Sequence, residues 1–355
     1  MQTYNVMDLF AGVGGLSFGF SRLPEFHIIA ANEIEKDIAT AYTLNHPDVK
    51  MFNCDINDLS GDLLSKALGD RRIDIVVGGP PCQSYSTLGK RQLDDRANLF
   101  MQYKRILLIL NPKAFVFENV VGILSMDKGR LFKQIEKEFE EIGYTLKYKV
   151  LDAVDYGVPQ HRERVILVGF RGENGYEYPL PTHGVGLKPC ISLRQAIGDL
   201  PMLKSGESGT EYAHEADNEF LQFVRAHSQE LTEHIAPKNG AHLIRIMEAL
   251  KDGQSKNDLP EELRPKSGYG NTYAKLWWDR PSTTITRNFA CPSSSRCIHP
   301  RDSRAMTIRE GARLQSFPDD YQFYGSDGMK RLEIGNAVPP LLSVAIAKQM
   351  REALK

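Results

Sequence analysis

The stretch YNVMDLFAGVGGLSFGF, residues 4–20, reads as a buried strand, a glycine turn and the opening of a helix. The strand signal is YNVMDLF, and the apolar-periodic segment after the turn runs to about Leu23. Gly12, Gly14 and Gly15 between them let a ligand approach the backbone closely at a helix N-terminus. The match to G-x-G-x-x-G is imperfect, because Ser17 stands where the third glycine would be. Alone, the turn fits a dinucleotide, a methyl donor or merely a tight bend.

Strand and helix patterns go on alternating from there. FHIIAANE, KMFNCDI, IDIVVGG and AFVFENV read as further strands, and EKDIATAYTLNH, LLSKAL, NLFMQYKRILLIL and LFKQIEKEFEEIG as helices. LKYKVLDA and RVILVGF are two more strand candidates. The alternation predicts an α/β fold with a doubly wound, Rossmann-like sheet, parallel at least through its fifth strand. After Phe170 the pattern breaks into Gly-, Pro- and Ser-rich chain with short amphipathic pieces, which predicts a second, smaller domain. The final segment, GNAVPPLLSVAIAKQMREAL, reads as a proline-started helix.

Polar residues close the strands. Glu33 ends the second, Asp55 the third and Glu118-Asn119 the fifth, while Cys82 in GGPPCQSYS lies just past the fourth. Ligands of open α/β sheets sit outside the carboxyl ends of the strands, so one layer of polar residues there favours one site. Glu33, eighteen residues after Gly15, suits the two hydroxyls of a ribose, and Asp55 could accept from an adenine amine. An adenosine-containing cofactor follows. Gly78 to Pro81 form a poor core wall but a rigid support for a nucleophile, and Glu118 leaves the next strand at the same edge. In QHRER, Arg162 and Arg164 alternate with Glu163 and are expected to share a strand face.

Composition narrows the class. The chain has 355 residues, 25% charged and 41% hydrophobic, as in ordinary globular proteins. Its longest aliphatic run, ILLIL at 106–110, is too short to span a bilayer, and the N-terminus carries no basic leader. The five scattered cysteines argue for a reducing compartment. Cys291, Cys297 and His299 lack the second C-x-x-C pair of a metal site, and no metal is expected. The net charge of −1 hides a local excess from 280 to 313, where seven arginines face Asp302 and Glu310.

Seven motifs in order, DLFAGVGG, GGPPCQSYS, ENV, QHRER, RPSTTITR, REGARLQSFPDDY and GNAVPP, make the chain resemble a DNA (cytosine-5)-methyltransferase over nearly its whole length. The resemblance implies S-adenosyl-L-methionine as cofactor and S-adenosyl-L-homocysteine as product, with double-stranded DNA as substrate. It implies Cys82 as the nucleophile for carbon 6 of a flipped-out cytosine and Glu118 as the proton donor to ring nitrogen 3. Arg164 would hold the carbon 2 oxygen, and Arg162 would contact the DNA backbone or the catalytic loop.

Cofactor residues carried over are Phe10, Val13, Gly15, Leu16, Glu33, Ile34, Asp55, Ile56, Pro81, Leu99, Asn336 and Val338. Ser86, Arg287 and Arg296 are expected on DNA, with the arginine-rich stretch along the cleft and SYSTLGKRQLDDRAN acting as a lid. The expected domains are a catalytic one, 1–178 with 330–355, and a target-recognition one, 179–329. A cytoplasmic, nucleoid-associated monomer is expected, with a cognate restriction endonuclease as a candidate partner. Rival readings are a tRNA methyltransferase of the same family, a non-catalytic regulator, and a nicotinamide-dependent oxidoreductase.

Overall fold

The computed structural model describes residues 2–81, 99–228, 230–266 and 270–355. The chain divides into two compact units, Met1–Asp152 with Glu163–Leu180 and Leu342–Lys355, and Ala153–Arg162 with Pro181–Leu341.

The first unit is built on β1 (Tyr4–Leu9), β2 (Phe26–Asn32), β3 (Lys50–Phe52), β4 (Ile75–Gly78), β5 (Ala114–Val120), β6 (Tyr144–Asp152) and β7 (Glu163–Arg171). Their order is β3-β2-β1-β4-β5-β7-β6. The first five strands are parallel, and β7 runs antiparallel between β5 and β6. This is the α/β sheet the alternation predicts. The chain winds outward from β1 to β3, then restarts on the other side of β1 with β4. The switch point therefore lies between β1 and β4, where sheets of this kind open a crevice for ligand.

Successive residues of β2 face opposite ways. Ala30 joins the large core, with Leu64 of α3 (Gly61–Leu68), Tyr103 of α4 (Leu99–Leu110) and Phe139 of α5 (Arg130–Glu141). Ala31 packs instead with Tyr42 of α2 (Lys36–Asn45). Both faces are thus covered, as apolar parallel strands require. At the centre of the large core, Tyr103 meets Phe117 edge-on at 5.3 Å and donates to the Val116 carbonyl at 3.0 Å.

The second unit holds short helices α6 (Leu193–Ile197), α7 (Glu219–Val224), α8 (Ala241–Ala249), α9 (Ile308–Leu314) and α10 (Asp327–Asn336), and a parallel pair, β8 (Ala274–Lys275) and β9 (Arg296–Ile298). Charge lies at its core. Arg313 donates from Nε to Asp319 Oδ1 (2.9 Å) and from Nη2 to Asp319 Oδ2 (2.6 Å), and also bonds Asp199. Arg304 spans both oxygens of Glu310 (2.7 and 2.8 Å) and reaches Asp302 Oδ2 at 2.8 Å. Arg309 lies 3.6 Å from Asp319. These three arginines are buried, which corrects the expectation that the whole 280–313 stretch lines a DNA surface. A guanidinium with two carboxylates in contact has little left to offer a phosphate.

The units also divide at places other than those expected. Residues 153–162 belong to the second unit: Ser282 N donates to Pro159 O (2.9 Å), His161 N to Ser282 O (2.9 Å), and Gln160 Nε2 to Leu314 O (2.7 Å). Residues 330–341 go with it as well, Gln315 Nε2 donating to Ile334 O at 2.6 Å. The last helix, α11 (Pro340–Ala353), returns the chain to the first unit, as the sequence suggests. The Ser343 hydroxyl bonds the Leu16 carbonyl and receives Gly19 N–H at 3.1 Å. A Cβ on Gly19 would lie 2.2 Å from Ser343 backbone, so only glycine fits there. No helix among the described residues is long and apolar enough to cross a membrane.

Candidate active site

The glycine turn after β1 opens the site. Phe10, Gly12 and Gly14 have φ of 54°, 55° and 93°; glycine adopts this freely and phenylalanine only under constraint. The constraint is visible: Ala11 N–H bonds Asn32 O at 3.0 Å, and Gly12 N–H bonds Glu33 Oε2 at 2.9 Å. Gly14 caps α1 (Gly15–Ser21) in the left-handed conformation. Ser17 explains the departure from the glycine fingerprint. Its hydroxyl donates to Asp8 Oδ2 (2.6 Å) and meets Tyr42 OH (2.8 Å), tying strand, helix and α2 together beneath the turn. Burial pushes Asp8 up to about 7, against the hydrogen bond from Ser17.

Glu33 stands at the C-terminal end of β2, with Gly12 N–H on one oxygen and Glu35 N–H on the other, each at 2.9 Å. Burial raises its pKa, and the backbone donors work the other way. Each carboxylate oxygen keeps a second lone pair, so the group can accept from two adjacent hydroxyls. Beside it Ile34 is 58% exposed, an apolar surface suited to a purine face. Asp55 takes Asn57 N and Asn57 Nδ2, both at 2.8 Å, on Oδ1, which leaves Oδ2 for an amine. The donor and acceptor set fits an adenosine. Val13, Leu16 and Ile56 are only 1, 5 and 4% exposed, so they shape the wall from within and offer a ligand little side-chain surface.

The opposite lip of the crevice is the end of β4 and β5. Glycine is required twice in succession, for different reasons. A Cβ on Gly78 would stand 2.3 Å from the Leu9 carbonyl oxygen of the neighbouring strand. A Cβ on Gly79 would stand 2.5 Å from Glu118 Oε2. Asn119 Nδ2 donates to Pro80 O at 2.9 Å, so the residue after the acid fixes the backbone two positions before Cys82.

Glu118 pairs with Ile166 across the antiparallel β5–β7 ladder, and Arg164 is two residues from Ile166 on the same face. The register thus brings Arg164 Nε to 2.8 Å from Glu118 Oε1, with both side chains nearly buried. Gly79 and Asn119 are positioning residues: the sequence marks them as part of the rigid support and the strand end, but not their contacts with Glu118 and Pro80.

Other expected site residues stand as follows. Cys82, Ser86 and the 84–98 segment lie outside the described residues. Pro81 is exposed and Leu99 half-buried at the start of α4. Arg162 does not share a strand face with Arg164. It precedes β7, is 1% exposed, and donates to Ile285 O and Gly335 O at 2.9 Å each within the second unit. Asn336 ends α10 and is exposed, and Val338 is buried; both belong to the second unit. Arg287 is exposed. Arg296 is turned inward, with Nη1 on Gly253 O (2.9 Å) and Lys275 O and the guanidinium 4.2 Å above Trp277, and so it braces the small sheet.

The fold recurs in solved structures. A prophage-encoded protein of Escherichia coli, described as a DNA modification methyltransferase, superimposes with a TM-score of 0.81 at 23% identity over 99% of both chains. DNMT2 of Spodoptera frugiperda gives 0.65 at 16% identity, over 99% of this chain and all of that one. The fold of this chain is thus that of both solved structures. The profile of the C-5 cytosine-specific DNA methylases matches residues 4–352, and the chain belongs to that family. The Type II methyltransferase M1.HphI of Haemophilus parahaemolyticus is 37% identical, over 96% of this chain and 85% of that one. M.AgeI of Thalassovita gelatinovora is 32% identical over 98% and 99%. The protein is an S-adenosyl-L-methionine-dependent DNA (cytosine-5)-methyltransferase.

Proposed function

We propose that the chain methylates carbon 5 of a cytosine swung out of a specific duplex sequence, through a covalent bond between Cys82 and carbon 6. The observation that carries the reading is the Glu118–Arg164 pair at 2.8 Å, on the strand beside the loop that leads to Cys82. Carbon 5 of cytosine is too weak a nucleophile to take a methyl group unaided. Cys82, as thiolate, adds to carbon 6. Glu118 gives a proton to ring nitrogen 3 and holds it there, drawing electrons from carbon 6, while Arg164 binds the carbon 2 oxygen. The cofactor, when bound, supplies an electrophilic methyl group for carbon 5. Loss of the carbon 5 proton to a base, with return of the nitrogen 3 proton to Glu118, then restores the ring double bond and expels Cys82 as thiolate. An addition above the ring plane cannot occur within a stacked duplex, so the base must leave the helix first.

Within the same reading, Glu33 holds the ribose hydroxyls, Ile34 and Phe10 flank the adenine, and Asp55 receives its amine. Gly15, Val13, Leu16, Ile56, Pro81 and Leu99 complete the cofactor site within the first unit. Residues 179–329 include the target-recognition domain, and Ser86 and Arg287 meet the DNA. Relatives named as Type II methyltransferases support a restriction endonuclease as a partner acting on the same sequence; the cytoplasm is the proposed compartment.

Labelled methyl transfer to mixed-sequence duplex DNA and to bulk tRNA, with Cys82→Ser beside the parent protein, tests the reading. Label in DNA alone, abolished by the substitution, is the expected result. Label confined to tRNA, or undiminished in Cys82→Ser, contradicts it.

A further inference from the structure

One face of the second unit is basic and unlike the rest of it. A depression of about 430 Å³ is lined by Lys238, Asn239, Arg287, Asn288, Cys291, and Gly328 and Arg331 of α10. Lys238 and Arg287 are exposed and Arg331 is half-buried. Among the described residues none of the three is within ion-pair distance of a carboxylate, whereas Arg304, Arg309 and Arg313 all are. Three uncompensated cations around one concavity repel one another, and a folded chain retains such a cluster at a cost unless an anion offsets it. The concavity also takes in Gly328, Arg331 and Leu332 of α10, a helix capped by Ser326 and carrying Asp327 in its first turn.

A thiol lies in the same depression and serves as a chemical probe of it. Burial alone would push the Cys291 thiol up, yet hydrogen bonds with Ser293 Oγ (3.2 Å) and Ser294 Oγ (3.4 Å) outweigh it, and the net displacement is downward. Cys291 is only partly buried, so reagents reach it.

We propose that this depression seats a backbone phosphate of the DNA substrate, gripped by Lys238, Arg287 and Arg331, and that Cys291 lies beneath the seated strand. The proposal rests on the DNA-methylation reading and deepens it by naming where the duplex is held. Of these three cations the sequence marks only Arg287. Lys238 and Arg331 come from segments 49 and 44 residues away, and only the fold brings the three together. The contact is to a phosphodiester, so it positions the duplex without reading its sequence.

The test uses the full chain, a mixed-sequence duplex, and the variants Lys238→Gln and Arg331→Gln. Each substitution is expected to lower the slope of log affinity against log salt by about one, equally for all sequences. Binding of S-adenosyl-L-homocysteine should not change. Alkylation of Cys291 by iodoacetamide, followed by mass spectrometry, should slow when duplex is present and should not slow with inorganic phosphate at the same phosphate concentration.

An unchanged salt slope in both variants together with unprotected Cys291, in a protein that still methylates DNA, would overturn the phosphate seat and leave the methylation reading intact. Protection by inorganic phosphate as strong as that by duplex would also overturn it, in favour of a small-anion site. A parent protein that neither binds nor methylates duplex would overturn both.

Discussion

The two units handle charge in opposite ways. In the first, two acids near the strand ends have no cation against them among the described residues, and burial raises them: Asp8 to about 7, and Glu33 upward as well. Glu118 alone of the strand-end acids there is paired with an arginine. In the second, acids are buried against arginines, and the arginines outweigh burial, so that Glu310 and Asp319 are displaced downward. Charge in the first unit is a working part held at some cost to stability. In the second it supplements the apolar packing of α6, α7 and α9, none of which is longer than seven residues. Such short helices bury little side-chain surface, and bidentate ion pairs fix their register instead.

The largest expected effect comes from breaking one of those pairs on one side only. Arg313→Met would leave Asp199 and Asp319 buried without their cation, and should destabilise the second unit by about 3–5 kcal/mol in denaturant unfolding. A loss below about 1 kcal/mol would mean that the network is incidental.

The next test sharpens the contrast within the first unit, between neighbouring glycines. Gly79→Ala should fold, because the clash is with the tip of Glu118, yet lose roughly 10²-fold in methyl transfer by displacing that carboxyl. Gly78→Ala meets the Leu9 carbonyl, which cannot move aside, and should fail in folding itself. If the two variants behaved alike, the distinction between the glycines would be wrong.

The smallest effect is in pH. Asp8 holds its proton in the fold up to about 7 but gives it up at an ordinary carboxyl value when unfolded. Stability should therefore fall as pH rises from about 4 to 7, by at most about 1.4 kcal/mol per pH unit. Asp8→Asn should flatten that limb. Asp319 and Glu310, depressed in the fold, contribute stability above the ordinary carboxyl range that is lost as pH falls through it. Acid should thus loosen the second unit, while a rise from about pH 4 to 7 loosens the first.

The sequence exposed the first unit far better than the second. Parallel strands buried on both faces leave continuous apolar runs, and each run ends at a residue that must be polar if the crevice is to bind anything. Glu33, Asp55 and Glu118 were legible for that reason. Arg162 misled because alternation shows which residues share a face only once the strand has begun, and β7 begins at Glu163. The arginine-rich stretch misled because acids were counted within its own window. Arg313 is paired with Asp199, 114 residues earlier, and with Asp319, just beyond the window. α9 went unread although Thr307 and Glu310 form a capping box at its start.

The most direct measurement is a covalent trap. A duplex carrying 5-fluorocytosine cannot release its carbon 5 substituent as a proton, so a thiol that has added to carbon 6 cannot leave after methyl transfer. With S-adenosyl-L-methionine present, the parent protein should form a stable adduct whose attachment maps to Cys82. Cys82→Ser should form none, and Glu118→Gln should form it roughly 10²–10⁴-fold more slowly. An adduct mapped to another residue, or one formed at the parent rate by Glu118→Gln, would contradict the account.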